Sequence, residues 1–192
     1  MFTIEQINEQ IYIGSLDLRA FGEGAGISQK RKLETKGIHF LLKKLIPSKQ
    51  IELKYNEYQK PFIENSDLHI SVSHSHDKLV VILNEKANTG IDIELIREKI
   101  INLKHKFLSD PELEFAGNDA ELLTVYWAAK EVLYKVYGKK ELDFRKHIFI
   151  EKINENENNF FGKIDLPNFK KRYLLQRKKI ENYILVYILN EV

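Results

Sequence analysis

The sequence predicts an α+β fold made of two similar halves, each a long helix packed on an antiparallel sheet. Three observations predict it. First, Leu122, Tyr126, Ala129, Leu133 and Val136 recur at i, i+4, i+7, i+11 and i+14, an apolar stripe of helical period. Second, most of the short runs rich in Ile, Val, Leu and Tyr are separated by turn-forming residues rather than by helices, the pattern of antiparallel strands. Third, the order strand, long helix, several strands occurs twice. A duplicated α+β unit is consistent with that order, although residue identities do not show it. The polar, turn-prone stretch Asn84–Thr89 is the candidate boundary between an N-terminal half, 1–87, and a C-terminal half, 88–192.

Taken in order, Ile11–Leu18 reads as a strand and Gly22–Gly26 as a flexible loop. Ser28 can cap a helix that runs to about Ile46, with Leu33, Phe40, Leu41 and Leu45 spaced for a buried face. Gly37 costs that helix roughly 1 kcal/mol relative to Ala, and Pro47 stops it. Ile51–Tyr55 and Leu68–Ser73 are strands, and Lys78–Leu83 is the hairpin partner of the latter. Gly90–Leu95 is the next strand. Glu98–Phe107 reads as helical, Ser109-Asp110-Pro111 starts another helix, and Gly117–Asp119 breaks it. Asp119–Tyr137 is the strongest helix and Gly138 its C-cap. His147–Ile153, Phe160–Ile164, Tyr173–Arg177 and Tyr183–Leu189 read as strands, with Asn154–Asn159 a polar turn.

Composition narrows the chemistry. The 192 residues are 43% hydrophobic and include 11 Phe, nine Tyr and one Trp, enough for a core and too apolar for global disorder. Zero cysteines exclude disulfides, thiolate zinc sites, iron–sulfur clusters and a cysteine nucleophile. A net charge of +2 is too small to argue for bulk nucleic-acid binding. No apolar run is long enough to span a membrane, and Met1–Gln10 has no hydrophobic signal segment. A soluble, cytoplasmic protein is the expectation, and richness in Ile, Lys and Asn points to an AT-rich bacterial genome.

Five stretches could carry chemistry. In Thr89–Glu94, strand alternation puts Ile91 and Ile93 on one face and Asp92 and Glu94 on the other, about 6.6 Å apart. Such a pair suits a hard cation such as Mg²⁺; a solvated polar face is the alternative. In the long helix, Trp127, Lys130, Glu131, Tyr134 and Lys135 fall within an arc of about 140° opposite the apolar stripe. Either this face borders a cleft, or Glu131 and Lys135 form an ordinary surface pair. Ile70–His76 ends a strand with hydroxyls and imidazoles that can bind phosphate oxygens or merely cap a turn. Lys30-Arg31-Lys32 with Lys36, and the loop Gln59–Phe62, offer cations for phosphate or for solvent. Last, Lys170-Lys171-Arg172 and Arg177-Lys178-Lys179 place six cations in ten residues around Tyr173–Gln176, which reads as an edge strand. They suit an acidic partner, nucleic acid, or protection of that edge.

The order of these signals is more specific than any one of them. Lys60-Pro61-Phe62, Ser71–Ser75, Gly90-Ile-Asp-Ile-Glu94 and Trp127-Ala-Ala-Lys-Glu131 with Lys135 together resemble the 4′-phosphopantetheinyl transferase superfamily, in its monomeric two-half type. The resemblance spans residues 28–138. It implies a monomer with its active site at the interface of the halves, transferring the 4′-phosphopantetheine arm of coenzyme A to a serine of an apo acyl or peptidyl carrier protein and releasing adenosine 3′,5′-bisphosphate. It implies that Asp92, Glu94 and Glu131 hold Mg²⁺, with Mn²⁺ an option, and that Glu131 is the base and Lys135 neutralises the pyrophosphate. Ser73, His74 and Lys60 match positions that contact coenzyme A phosphates, and Arg31 loosely matches an arginine at the 3′-phosphate. Three positions depart from the family pattern: Gln59 stands for a glycine, His39 for an arginine and Val132 for a small residue. A non-catalytic coenzyme A- or carrier-binding domain and a nucleic-acid-binding α+β protein are the rival readings.

Overall fold

The computed structural model describes residues 1–22, 30–47, 51–154 and 156–192. The cap expected at Ser28 and most of the loop expected at Gly22–Gly26 lie outside them. The chain divides into two compact units, Met1–Ile93 and Glu94–Val192. Each combines helix with antiparallel sheet, so the α+β class holds.

The first unit contains β1 (Phe2–Gln6), β2 (Ile11–Asp17), α1 (Leu18–Phe21), α2 (Lys30–Leu45), β3 (Leu53–Tyr55), β4 (Pro61–Ile63), β5 (His69–Ser75) and β6 (Lys78–Asn84). Its main sheet has the order β1-β2-β6-β5. The apolar run of β6 is buried along almost its whole length because it lies between two neighbours and under a helix. The β5–β6 hairpin forms as expected, paired from His69↔Asn84 to Ser75↔Lys78. Ile38, Leu41 and Leu42 of α2 pack with Leu16, Leu79 and Val81 of the sheet and with Leu18 of α1. β3 and β4 make a separate two-stranded ribbon, so part of the Gln59–Phe62 loop is strand. The sequence reading missed β1, where only Phe2 and Ile4 alternate with polar residues, a run too short to stand out, and every residue is exposed.

β7 (Ile91–Leu95) crosses the division between the units. The second unit continues with 3₁₀ turns at Glu98–Asn102 and Lys104–Lys106, then α3 (Asp110–Ala116), α4 (Ala120–Tyr137), β8 (Ile148–Ile150), β9 (Asn159–Leu166), β10 (Phe169–Ile180) and β11 (Tyr183–Glu191). The single helix expected over Glu98–Phe107 is therefore corrected to two tight turns. The sheet order is β7-β11-β10-β9-β8. β10 is thus an interior strand, not the edge expected for Tyr173–Gln176. Its cations are compatible with that position because acids on neighbouring chain segments meet them. Lys170 pairs with Asp165 and Lys171 with Glu191, each at 2.7 Å. Arg172 reaches Glu151 at 2.8 Å and lies over the Phe161 ring. Among the described residues, no helix is long and apolar enough to cross a membrane.

α4 begins at Asp119, whose carboxylate accepts from the backbone N–H groups of Glu121 and Leu122. It ends at Gly138 in the left-handed conformation that favours glycine. Its burial is wider than the five-residue stripe. Leu123, Val125, Ala128 and Val132 are also in the core, while Leu122 is only partly covered. Trp127, Glu131, Tyr134 and Lys135 remain as its half-buried face.

Candidate active site

Two serines of β5 organise the start of β7. The Ser71 hydroxyl accepts from the Ile91 N–H, and the Ser73 hydroxyl accepts from the Ile93 N–H, both at 3.3 Å. Ser73 Oγ in turn donates to Asp92 Oδ1 at 2.7 Å. Asp92 is only 3% exposed, so its face of the strand is not the solvated polar face that alternation alone allows. A carboxyl this buried requires donors or cations around it, and Ser73 is one.

Two residues further on, Glu94 belongs to the second unit. Its Oε1 accepts a hydrogen bond from Trp127 Nε1 at 3.0 Å. The indole is held from both sides, edge-on to Phe107 at 5.1 Å and tilted on Phe144 at 5.6 Å. Tyr134 meets the same Phe144 ring at 5.6 Å. Phe107, Trp127 and Phe144, with Ile100 and Leu103, wall a pocket of about 580 Å³ that opens beside Glu94, within the usual size range for small-molecule sites. Arg97, Lys99, Lys106 and Arg145 also line it. So does Asp143, whose carboxyl is desolvated yet held below its ordinary pKa by the backbone N–H groups of Arg145 and Lys146.

Lys130 does not share the half-buried face, and here the sequence reading is corrected. Its side chain is fully buried, and Nζ donates to Glu112 Oε2 at 2.7 Å, Phe144 O at 2.7 Å and Ile148 O at 2.6 Å. At the edge of the 140° arc, it turns inward because a buried acid waits there. Burial lowers its pKa and Glu112 opposes the shift. Glu112 also closes a capping box at the start of α3 by accepting from Ser109 N and Oγ, both at 2.8 Å. The Ser-x-x-Glu spacing of 109–112 was the available signal for Glu112.

Each remaining expected site residue has its own surroundings. Lys60 is half-buried, donates to Asn88 Oδ1 at 2.7 Å, and has its pKa pulled down to about 8 by burial. His74 is partly exposed, with Nδ1 3.4 Å from Glu34 Oε1. Arg31 stands exposed in the first turn of α2. His39, also exposed, is bonded through Nδ1 to Thr35 O. Glu131 and Lys135 lie one turn apart on α4. Among the described residues, no three His, Asp or Glu side chains are gathered tightly enough to hold a metal ion. The donor chemistry of Asp92, Glu94 and Glu131, all carboxylate oxygen, is nevertheless what a hard divalent cation takes. Sequence reasoning missed Glu34, Asn88, Phe144 and Glu112, none of which stands in a motif it used.

Comparison with known proteins bears on both ends of this arrangement. A family model described as the 4′-phosphopantetheinyl transferase superfamily matches residues 88–188, more than half of the chain. The 4′-phosphopantetheinyl transferase gsp of Aneurinibacillus migulanus is 34% identical over 99 residues, 49% of this chain and 41% of that relative. The match therefore spans less than half the length of that curated relative. A retrovirus-related Pol polyprotein from transposon gypsy of Drosophila melanogaster is 29% identical over 103 residues, 53% of this chain but only 8% of the polyprotein. So small a share of that protein says nothing about this one.

Proposed function

Because the chain belongs to the 4′-phosphopantetheinyl transferase superfamily, we propose that it moves the 4′-phosphopantetheine arm of coenzyme A onto a serine hydroxyl of an apo acyl or peptidyl carrier protein. One observation carries this reading: the stretch matching the family contains both Gly90–Glu94 and Trp127–Lys135, whose Glu94 and Trp127 are hydrogen-bonded beside a pocket.

In the reaction the carrier serine oxygen forms a bond to the phosphorus that bears the arm. The bond from that phosphorus to the bridging pyrophosphate oxygen breaks, and adenosine 3′,5′-bisphosphate leaves with the electron pair. Glu131 takes the serine proton, directly or through a water. Lys135, one turn along the same helix face, offsets the charge that builds on the leaving oxygen. Positioning and charge neutralisation do most of the work in such transfers. Asp92, Glu94 and Glu131 are the residues we assign to Mg²⁺ or Mn²⁺, which when bound neutralises pyrophosphate oxygens.

Lys60, His74 and Arg31 are assigned to coenzyme A phosphates. Ser73 is assigned instead to holding Asp92, since its one hydroxyl hydrogen is already donated there. The gem-dimethyl group and methylene segments of the arm suit the wall formed by Phe107, Trp127 and Phe144. The nucleic-acid reading loses its main support, because Lys170, Lys171, Arg172 and Lys179 are each paired with an acid.

The test is incubation with coenzyme A, Mg²⁺ and a panel of apo carriers, read by intact mass. Gain of a phosphopantetheine group on a carrier is expected. Coenzyme A binding with no carrier modified would overturn the transferase reading in favour of a binding domain.

A further inference from the structure

The bonds of Glu112 and Lys130 form a closed set. Lys130 Nζ has three acceptors for its three N–H groups: Glu112 Oε2, Phe144 O and Ile148 O. Three donors require the ammonium form. Glu112 is 5% exposed. Its Oε2 accepts from Ser109 N, Ser109 Oγ and Lys130, and its Oε1 accepts from Ile150 N at 2.8 Å. A buried carboxylate that already accepts four donors, an ammonium among them, is tied into the frame of the fold.

The set joins the start of α3, the middle of α4, the loop at Phe144 and strand β8. Lys130 immediately precedes Glu131 and follows Trp127 by three residues. One residue of helix is 100° of rotation. Fixing the direction of Lys130 therefore fixes the directions of Trp127, Glu131 and Lys135, which are half-buried. The same ammonium holds the backbone carbonyl of Phe144, the residue whose ring packs on both Trp127 and Tyr134. One buried ammonium thus touches both the helix that carries Glu131 and the loop that carries Phe144.

We propose that Glu112 and Lys130 are positioning residues: their buried ion pair sets the rotation of α4 and the place of the Phe144 loop, and through them the placement of Glu131 and Trp127. Ion pairs of this kind add little net stability compared with apolar replacements, so fixing one arrangement is the role that geometry leaves for it. For the rate of transfer this rests on the proposed function; for Trp127 it does not.

The chain has one Trp and no Cys, and both facts serve the test. Lys130→Met, at a temperature where circular dichroism shows it folded, should shift the Trp127 emission maximum to the red. Acrylamide quenching should rise at least about twofold. Carrier modification should slow by about 10- to 100-fold, the scale of a displacement near 1 Å. Affinity for adenosine 3′,5′-bisphosphate, which lacks the arm, should stay within about twofold. Lys130→Cys, alkylated while unfolded with an aminoethyl group, rebuilds a lysine-like ammonium and should restore emission and rate after refolding. The same variant carrying a propyl group fills the volume without the donors and should not. If Lys130→Met does not fold, Glu112→Gln, which keeps the side-chain shape, takes the same measurements. Wild-type emission and quenching in a folded variant, or equal restoration by propyl and aminoethyl groups, would overturn the proposal. If the wild-type protein modifies no carrier, the transferase reading falls while the emission arm still decides the role of the pair.

Discussion

Gly37 sits in the middle of α2, where an isolated helix gains from alanine. Propensity alone predicts that Gly37→Ala stabilises by about 1 kcal/mol. The packing predicts the opposite sign. A Cβ at position 37 would lie 2.7 Å from Leu79 Cδ2, 3.0 Å from Leu16 Cδ2 and 3.3 Å from Leu18 Cδ2. Those leucines are themselves 0–3% exposed, so they have no free space into which to swing. Forcing a methyl group into a filled core costs about 1–3 kcal/mol. Set against the propensity gain, the net expectation is a loss of about 1 kcal/mol. For a chain of this size that lowers the melting temperature by about 2–4 °C. Thermal and urea unfolding of Gly37→Ala measure it. Leu79→Ala, which removes the nearest contact, provides the second arm. Alone it should cost about 2–5 kcal/mol, but with Gly37→Ala the double variant should be more stable than the sum of the two losses, because the new methyl enters the vacated space. A Gly37→Ala protein more stable than wild type by about 1 kcal/mol would refute the packing reasoning.

Three further outcomes are expected. Ser73→Ala should cost about 1.5–3 kcal/mol, since it removes a hydrogen bond to a buried carboxylate, whereas Ser71→Ala should cost about 0.5–1.5 kcal/mol; equal losses in urea unfolding would detach Ser73 from Asp92. Lys60 is a cation below its pKa of about 8 and neutral above it, so kcat/KM for coenzyme A should fall as pH rises through about 8, and Lys60→Met should remove that limb from the pH–rate profile. Lys135→Ala should slow carrier modification by about 10²–10³-fold with folding intact. Glu131→Gln should do at least as much and also flatten the Mg²⁺ dependence; near-wild-type rates in both would separate these residues from the chemistry.

Much of the site was legible because its signals are local. The strand holding Asp92 and Glu94, the helix holding Trp127, Glu131 and Lys135, and the hairpin holding Ser73 and His74 all follow from periodicity and turn chemistry over a few residues. β1 was not read, since its alternation is confined to Phe2 and Ile4 in an otherwise polar, exposed segment. Nor was the interior position of β10, whose cations look like edge protection until the acids of β9, β11 and Glu151 are set beside them.

By itself the sequence determined the α+β class, the kind of most elements and the spaced pair of motifs that marks the family, since each is written in residues close together along the chain. Only the tertiary structure decided who partners whom. Ser73 meets Asp92 across 19 positions, Lys130 meets Glu112 across 18, Lys60 meets Asn88 across 28 and Glu94 meets Trp127 across 33. A lysine at the edge of a helical arc can turn to water or to the core with the same local pattern. What chose the core for Lys130 is a carboxylate on another helix and two backbone carbonyls, which together offset the cost of burying its charge.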